Sequence, residues 1–277
     1  MSPDPSALTV LHGSVRGIGK KFSQDSYAVT LVAGGAALVL AVADGHGSGK
    51  HFRSHLGSRW AVGEFTDCVT PFARHVAERE HDERAWHALF AQARDLAGPI
   101  CHRWREQVML YEAANPARGV TGDGRPPDPA RLDPVPYGTT LIGLLVTRRL
   151  LFGWQVGDGD VTVSARADRT LEQPLAGEEQ YGDDTDSLCL PEPWTRMRVH
   201  TRPLEPVGHR VLVIANTDGL SKSFAESDGY LRFASGMHEA LDREGARHVQ
   251  GQLEDWLTRA AGFSGDDTTL VGVYIAG

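Results

Sequence analysis

The sequence predicts an α+β fold in which sheets are sandwiched by helices. Two blocks of apolar β-rich runs are separated by a long helical stretch; a second helical stretch follows, and one last β-run closes the chain. That order lacks the strand-helix alternation of a doubly wound parallel sheet, which leaves antiparallel strands with segregated helices. The 277 residues are 41% hydrophobic and 23% charged, the balance of an ordinary globular chain able to bury a sizeable core. Lys and Arg number 28 against 36 Asp and Glu, a net charge of −8, which argues against a surface built to hold nucleic-acid phosphates.

Tyr27 to Ala33 and Ala36 to Ala43 are apolar runs on either side of Gly34-Gly35, the pattern of a β-hairpin whose strands are both largely buried. From Gly49 to Asn115 the period lengthens: Phe52, Leu56, Trp60 and Val62, then Trp86, Leu89, Phe90, Ala93 and Leu96 recur at helical steps, giving two or three helices. Pro116 to Pro136 is dense in Pro, Gly and Asp, which stops helix propagation and predicts a mobile loop. Thr139 to Val146, Leu150 to Gln155 and Val161 to Ala165 read as an antiparallel meander. The acidic, aperiodic stretch from Leu171 to Pro193 reads as a surface flap. Strands are expected at Val199 to Thr201 and Arg210 to Asn216, helices at Gly229 to Leu241 and Ala246 to Ala261, and a closing strand at Thr268 to Ile275.

Pairing between the beginning and the end of the chain favours one domain over residues 1–277, with 116–136 as the loop and 171–193 as the flap. The start MSPDPSALTV lacks the basic and apolar regions of a secretory signal. The longest uncharged run, Ala28 to Ala43, is too short for a membrane helix and has a glycine pair at its middle. Cys68, Cys101 and Cys189 form no CxxC pair, so neither a zinc site nor a redox couple is expected and a reducing cytoplasm fits.

Four aspartates lie at the end of an apolar β-run or at the mouth of a glycine turn: Asp44, Asp158, Asp218 and Asp266. A carboxylate on a strand end followed by glycine can present its side chain and the adjacent carbonyl to one hard cation, since glycine has no Cβ to block the approach. Mg²⁺ or Mn²⁺ suits such oxygen donors, and a divalent ion relieves the repulsion among converging carboxylates. Two metals about 4 Å apart lower the pKa of a bridging water and neutralise phosphoryl oxygens during in-line attack.

Six pieces in order carry a resemblance: SQDSYAV (Ser23 to Val29), VADGHGSG (Val42 to Gly49), YGTTLIGLLV (Tyr137 to Val146), WQVGDGDV (Trp154 to Val161), VIANTDGL (Val213 to Leu220) and GDDTTLVGV (Gly265 to Val273). Together they resemble the metal-dependent serine/threonine protein phosphatases of type 2C, the PPM family, in its bacterial form. The resemblance implies a central β-sandwich of two antiparallel sheets flanked by helices, in four α-β-β-α layers. It also implies two divalent cations, Mg²⁺ or Mn²⁺: Asp44 bridging both, the Gly45 carbonyl on one, Asp218 and Asp266 on the other. By the same resemblance Asp25 stands in the outer shell, Asp158 matches the ligand of a weaker third ion, and His46 is the general acid for the departing alkoxide. The implied function is hydrolysis of phosphoserine and phosphothreonine on proteins by metal-activated water, with a phosphoprotein as substrate and a cognate Ser/Thr kinase as partner.

Two departures stand out. The family's phosphate-gripping arginine is replaced by Lys20, a point charge without the bidentate fork, so Arg16 or Lys21 could share the role. The usual GDSR is Gly157-Asp158-Gly159-Asp160 here. These leave open a phosphatase-like sensing module with little turnover. Gly177 to Leu188 loosely resembles the acidic flap of a bacterial subgroup. Cys68 to Arg74 fits a Cys-x5-Arg spacing formally, but it has no glycine and Pro71 removes a donor; Cys68 reads instead as a helix-end packing residue. Trp60, Trp86 and Trp154 read as core residues.

Overall fold

The computed structural model describes residues 8–116, 133–165, 170–176, 185–204, 210–226 and 228–276. Three strands, β1 (Leu8–Val15), β2 (Asp25–Val32) and β3 (Ala37–Asp44), precede three helices, α1 (Ser54–Arg79), α2 (Glu83–Asp95) and α3 (Ala97–Ala114). Strands β4 (Leu141–Thr147), β5 (Leu150–Val156), β6 (Asp160–Ser164), β7 (Leu171–Glu172), β8 (Arg198–Pro203) and β9 (Val211–Asn216) follow. A short α4 (Asp218–Ser221), then α5 (Gly229–Glu244) and α6 (Ala246–Ser264), lead to β10 (Thr268–Ile275).

The strands form two five-stranded sheets, β1-β10-β9-β6-β7 and β2-β3-β4-β5-β8, antiparallel throughout. Their inner faces meet in a core that includes Leu38, Leu40, Val42, Ile142, Leu144, Val161, Val213, Val271 and Val273. The alternate residues of β3, Val39, Ala41 and Ala43, face Phe65, Val69 and Trp104 of α1 and α3. On the other sheet, Leu212, Ile214 and Leu270 face Met237, Leu253 and Leu257 of α5 and α6. Successive strand residues point to opposite faces, and because both faces of β3 are covered, its sequence is a continuous apolar run. The result is the four-layer α-β-β-α sandwich.

The hairpin, the three helices before Asn115 and the closing strand fall where the sequence predicts them. Three expectations are corrected. β4 and β5 pair, but β6 does not continue the meander: the Gly157-Asp158-Gly159 turn carries the chain across to pair with β9 in the other sheet. β2 is an edge strand and only half-buried, unlike β3. Cys68 lies in the middle of α1 rather than at a helix end, and packs against the core. Trp154 is fully buried, while Trp60 and Trp86 are partly buried against the same core.

Strand β1 has no counterpart in the sequence reading, because only Leu11 of it is fully buried. It ties the start of the chain to β10, Leu8 opposite Ile275 through Val15 opposite Thr268. Residues 117–132 of the expected loop and 177–184 of the expected flap lie outside the described residues. No helix among the described residues is long and apolar enough to cross a membrane.

Candidate active site

One end of both sheets gathers the aspartates. Asp25 opens β2 and Asp44 closes β3, and the hairpin register sets them directly opposite each other. Asp158 sits on the turn that crosses between sheets, Asp218 begins α4 after β9, and Asp266 precedes β10. Asp44, Asp158, Asp218 and Asp266 line one pocket of about 360 Å³ together with Lys20, Gly45, His46, Gly47, Thr185 and Lys222. Asp25 lies beneath, 8% exposed. Every aspartate singled out in the sequence is therefore brought to one place.

The motif residues around them hold the backbone. The Asp44 N–H donates to Thr140 Oγ1 at 3.0 Å, and the Asp44 carbonyl accepts from the Thr140 N–H and the Thr139 hydroxyl, each at 2.8 Å. A Cβ at Gly45 would stand 2.8 Å from the Ser54 carbonyl and 2.9 Å from that of Gln24, so only glycine lets the loop pass between β2 and α1. At Gly219 a Cβ would meet the Asp267 carbonyl at 2.0 Å. That close contact brings α4, with Asp218, against the strand start that carries Asp266.

A family model for protein phosphatase 2C matches residues 15–258. The chain belongs to the protein phosphatase 2C family. Membership makes it a serine/threonine protein phosphatase of a class that uses divalent metal ions. Solved phosphatases share the fold. A bacterial serine phosphatase gives a TM-score of 0.62 at 15% identity, with 98% of this chain and 98% of that one covered. The S. agalactiae serine/threonine phosphatase gives 0.59 at 16% identity, with 97% and 99% covered. The catalytic domain of serine threonine protein phosphatase PstP, in complex with 2 manganese ions, gives 0.56 at 16% identity, with 96% and 97% covered. No curated protein sequence matches the chain as a relative.

Electrostatics in this phosphatase 2C site are set first by burial and then by crowding. Burial, with Asp267 and Asp218 nearby, pushes Asp25 up to about 7 from 3.8, against the opposing hydroxyl bond from Thr217. Asp44 is held well above the usual carboxylate range by burial and by Asp25, Asp218 and Asp266. Burial and Asp218 push Asp158 up to about 6. Asp218 goes down, because its bonds with Lys222, Asp44 and Asp158 outweigh its burial. Asp25 binds a proton more tightly folded than unfolded, so its contribution to stability is complete below about pH 4 and is lost as pH rises through about 7. Asp158 acts with the same sign. In EDTA, Asp25→Asn should therefore be stabilised relative to wild type by more at pH 8 than at pH 5; a stability difference that does not grow with pH would contradict the assignment.

Two lysines answer this charge. Lys20 Nζ pairs with Asp266 Oδ1 and, at 3.0 Å, with Asp267 Oδ2. Lys222 Nζ pairs with Asp218 Oδ2 and stands 3.9 Å from Asp158 Oδ2. With the lysines so paired, no group of three His, Cys, Asp or Glu among the described residues is arranged to hold a metal ion. Yet the donor set fits one. Asp25 Oδ2 accepts from Thr217 Oγ1 at 2.7 Å and Asp218 Oδ2 from Lys222, while the Oδ1 of each is buried without a hydrogen-bond partner. A buried carboxylate oxygen lacking a donor is costly unless a cation, or a water held by one, completes it.

His46 is in the pocket, its ring 4.8 Å from that of His51. Burial, then the charges of His51 and Lys50, lower it to about 4. Of the three basic residues considered for phosphate, Lys20 lines the pocket, whereas Arg16 donates to the Lys21 carbonyl at 3.0 Å. Asp160, the second acid of the GDGD turn, accepts from Gln173 at 2.9 Å and Asn216 at 3.3 Å.

Sequence reasoning passed over Asp267, Thr217 and Lys222. Asp267 is 2% exposed and accepts from the Gly17 N–H at 2.8 Å and the Gln24 N–H at 2.7 Å, tying the loop before β2 to the site. The doubled acid in GDDTT was the available signal.

Proposed function

We propose that this phosphatase hydrolyses phosphoserine and phosphothreonine monoesters on proteins with two divalent cations, Mg²⁺ or Mn²⁺, held by Asp44, the Gly45 carbonyl, Asp218 and Asp266. The observation that carries the reading is the pair of buried, donorless oxygens, Asp25 Oδ1 and Asp218 Oδ1, in a cluster where Asp44 is repelled by Asp25, Asp218 and Asp266. When bound, the cations supply a water acid enough to attack phosphorus and neutralise charge on the phosphoryl oxygens.

The chain's own groups do the rest. Asp25, fixed by Thr217, sits in the outer shell and orients water. Lys20, at the pocket wall beside Asp266, offers its ammonium to the substrate phosphate as a point charge. His46 is uncharged at neutral pH in the free protein; a phosphate dianion beside it raises its proton affinity, the direction required of a donor to the departing serine or threonine oxygen. A Ser/Thr kinase must generate the substrate.

Phosphate release from a phosphothreonine peptide tests this. Turnover is expected in Mn²⁺ or Mg²⁺, with loss in excess EDTA and recovery when the metal is restored. Undiminished release in EDTA would contradict the two-metal reading, and peptide binding without release would identify a sensing module.

A further inference from the structure

The Asp158 side of the pocket differs from the Asp44 side: a cation of the protein's own stands there. Lys222 follows α4, its N–H accepted by the Asp218 carbonyl at 2.8 Å, so its side chain folds back one turn onto the carboxylate that opens the helix. Its ammonium pairs with Asp218 Oδ2 and lies 3.9 Å from Asp158 Oδ2, which also receives the Thr185 hydroxyl at 3.3 Å. We propose that Lys222 is a built-in cation taking the place of a third metal ion between Asp158 and Asp218, so that the site holds two divalent ions and excludes a third.

This rests on the two-cation reading above and adds to it a stoichiometry and a residue that sets it. The placement of the protein's own cations supports the assignment. Asp25, Asp44, Asp158, Asp218, Asp266 and Asp267 crowd one end of the sandwich, and Lys20 and Lys222 are the ammonium groups paired to them. Asp160, bound by Gln173 and Asn216, is a further acid in the field of Asp218, so each ammonium relieves repulsion that the acids would otherwise share. A third divalent ion would have to displace Lys222 from Asp218 or sit beside it against like-charge repulsion. Asp218 Oδ2 is the oxygen Lys222 holds, whereas its buried Oδ1 is left for the cations shared with Asp44.

The experiment is a Mn²⁺ titration followed by calorimetry and by the electron paramagnetic resonance signal of free Mn²⁺, on wild type, Lys222→Asp and Lys222→Met. Wild type should saturate at two ions per chain and Lys222→Asp at three. Lys222→Met, which removes the charge without adding a ligand, should melt lower than wild type in EDTA because Asp158 and Asp218 lose their counter-charge. The inference is overturned if wild type takes three ions, if Lys222→Asp stays at two, or if Lys222→Met melts like wild type in EDTA. Three ions in wild type would leave the two-cation catalytic reading intact, whereas no bound Mn²⁺ would remove both.

Discussion

Asp44→Asn is expected to abolish metal-dependent phosphate release and, in the same molecule, to raise the melting temperature measured in EDTA. Asp44 is one of the acids that would hold the proposed cations, and Lewis-acid stabilisation of a phosphoryl transition state is worth several kcal/mol. Losing about 4 kcal/mol of it slows turnover about 10³-fold. Stability should move the other way. Asp44 is crowded by Asp25, Asp218 and Asp266, all of the same sign, and burial raises it further. Asparagine keeps the shape and removes the repulsion, and each 1 kcal/mol so released raises the melting temperature about 2–4 °C in a chain of this size. Added Mn²⁺ should reverse the order, since a ligand stabilises only the form that binds it. Calorimetry with EDTA and with Mn²⁺, beside the release assay, reads both effects. A variant less stable than wild type in EDTA would make Asp44 a structural residue.

Gly219→Ala should cost both fold and metal. The Asp267 carbonyl lies 2.0 Å from where the new Cβ would be, and that carbonyl is backbone, which no side-chain rotation relieves. Forcing α4 off the start of β10 costs about 1–3 kcal/mol by overpacking, and it draws Asp218 away from Asp266. Mn²⁺ affinity is therefore expected to fall about tenfold or more, the scale seen when groups that orient a metal ligand are lost. Melting curves and a Mn²⁺ titration measure the two losses; wild-type values for both would mean that α4 and β10 are not a rigid pair.

Much of the site was legible because strand geometry converts sequence position into spatial position. Asp25 lies nine residues before Gly34 and Asp44 nine after Gly35, so a hairpin turning on the glycine pair must set the two acids opposite each other, as the register shows. Asp218 and Asp266 were placed by the same logic, each next to an apolar run that can only be a buried strand. The partner of β6 was not legible. A two-glycine turn serves a hairpin or a crossing between sheets equally well, and the choice rests on long-range packing of Val161 and Val163 between the sheets. The role of Asp267 was not legible: Lys20 joins it to Asp266, and it accepts from the Gly17 and Gln24 N–H groups, more than 240 residues away. Lys222 was missed for a similar reason. Read linearly, it follows a strand-end Asp-Gly as an ordinary surface lysine, and only the turn of α4 returns its ammonium to Asp218.

Anomalous scattering from Mn²⁺ in crystals of the wild-type protein tests most directly whether these carboxylates jointly hold the catalytic cations. Two peaks bounded by Asp44, Asp218 and Asp266 are predicted, with Lys222 still on Asp218. Ordered Mn²⁺ elsewhere on the molecule, with these three carboxylates left as a lysine-paired cluster, would contradict it.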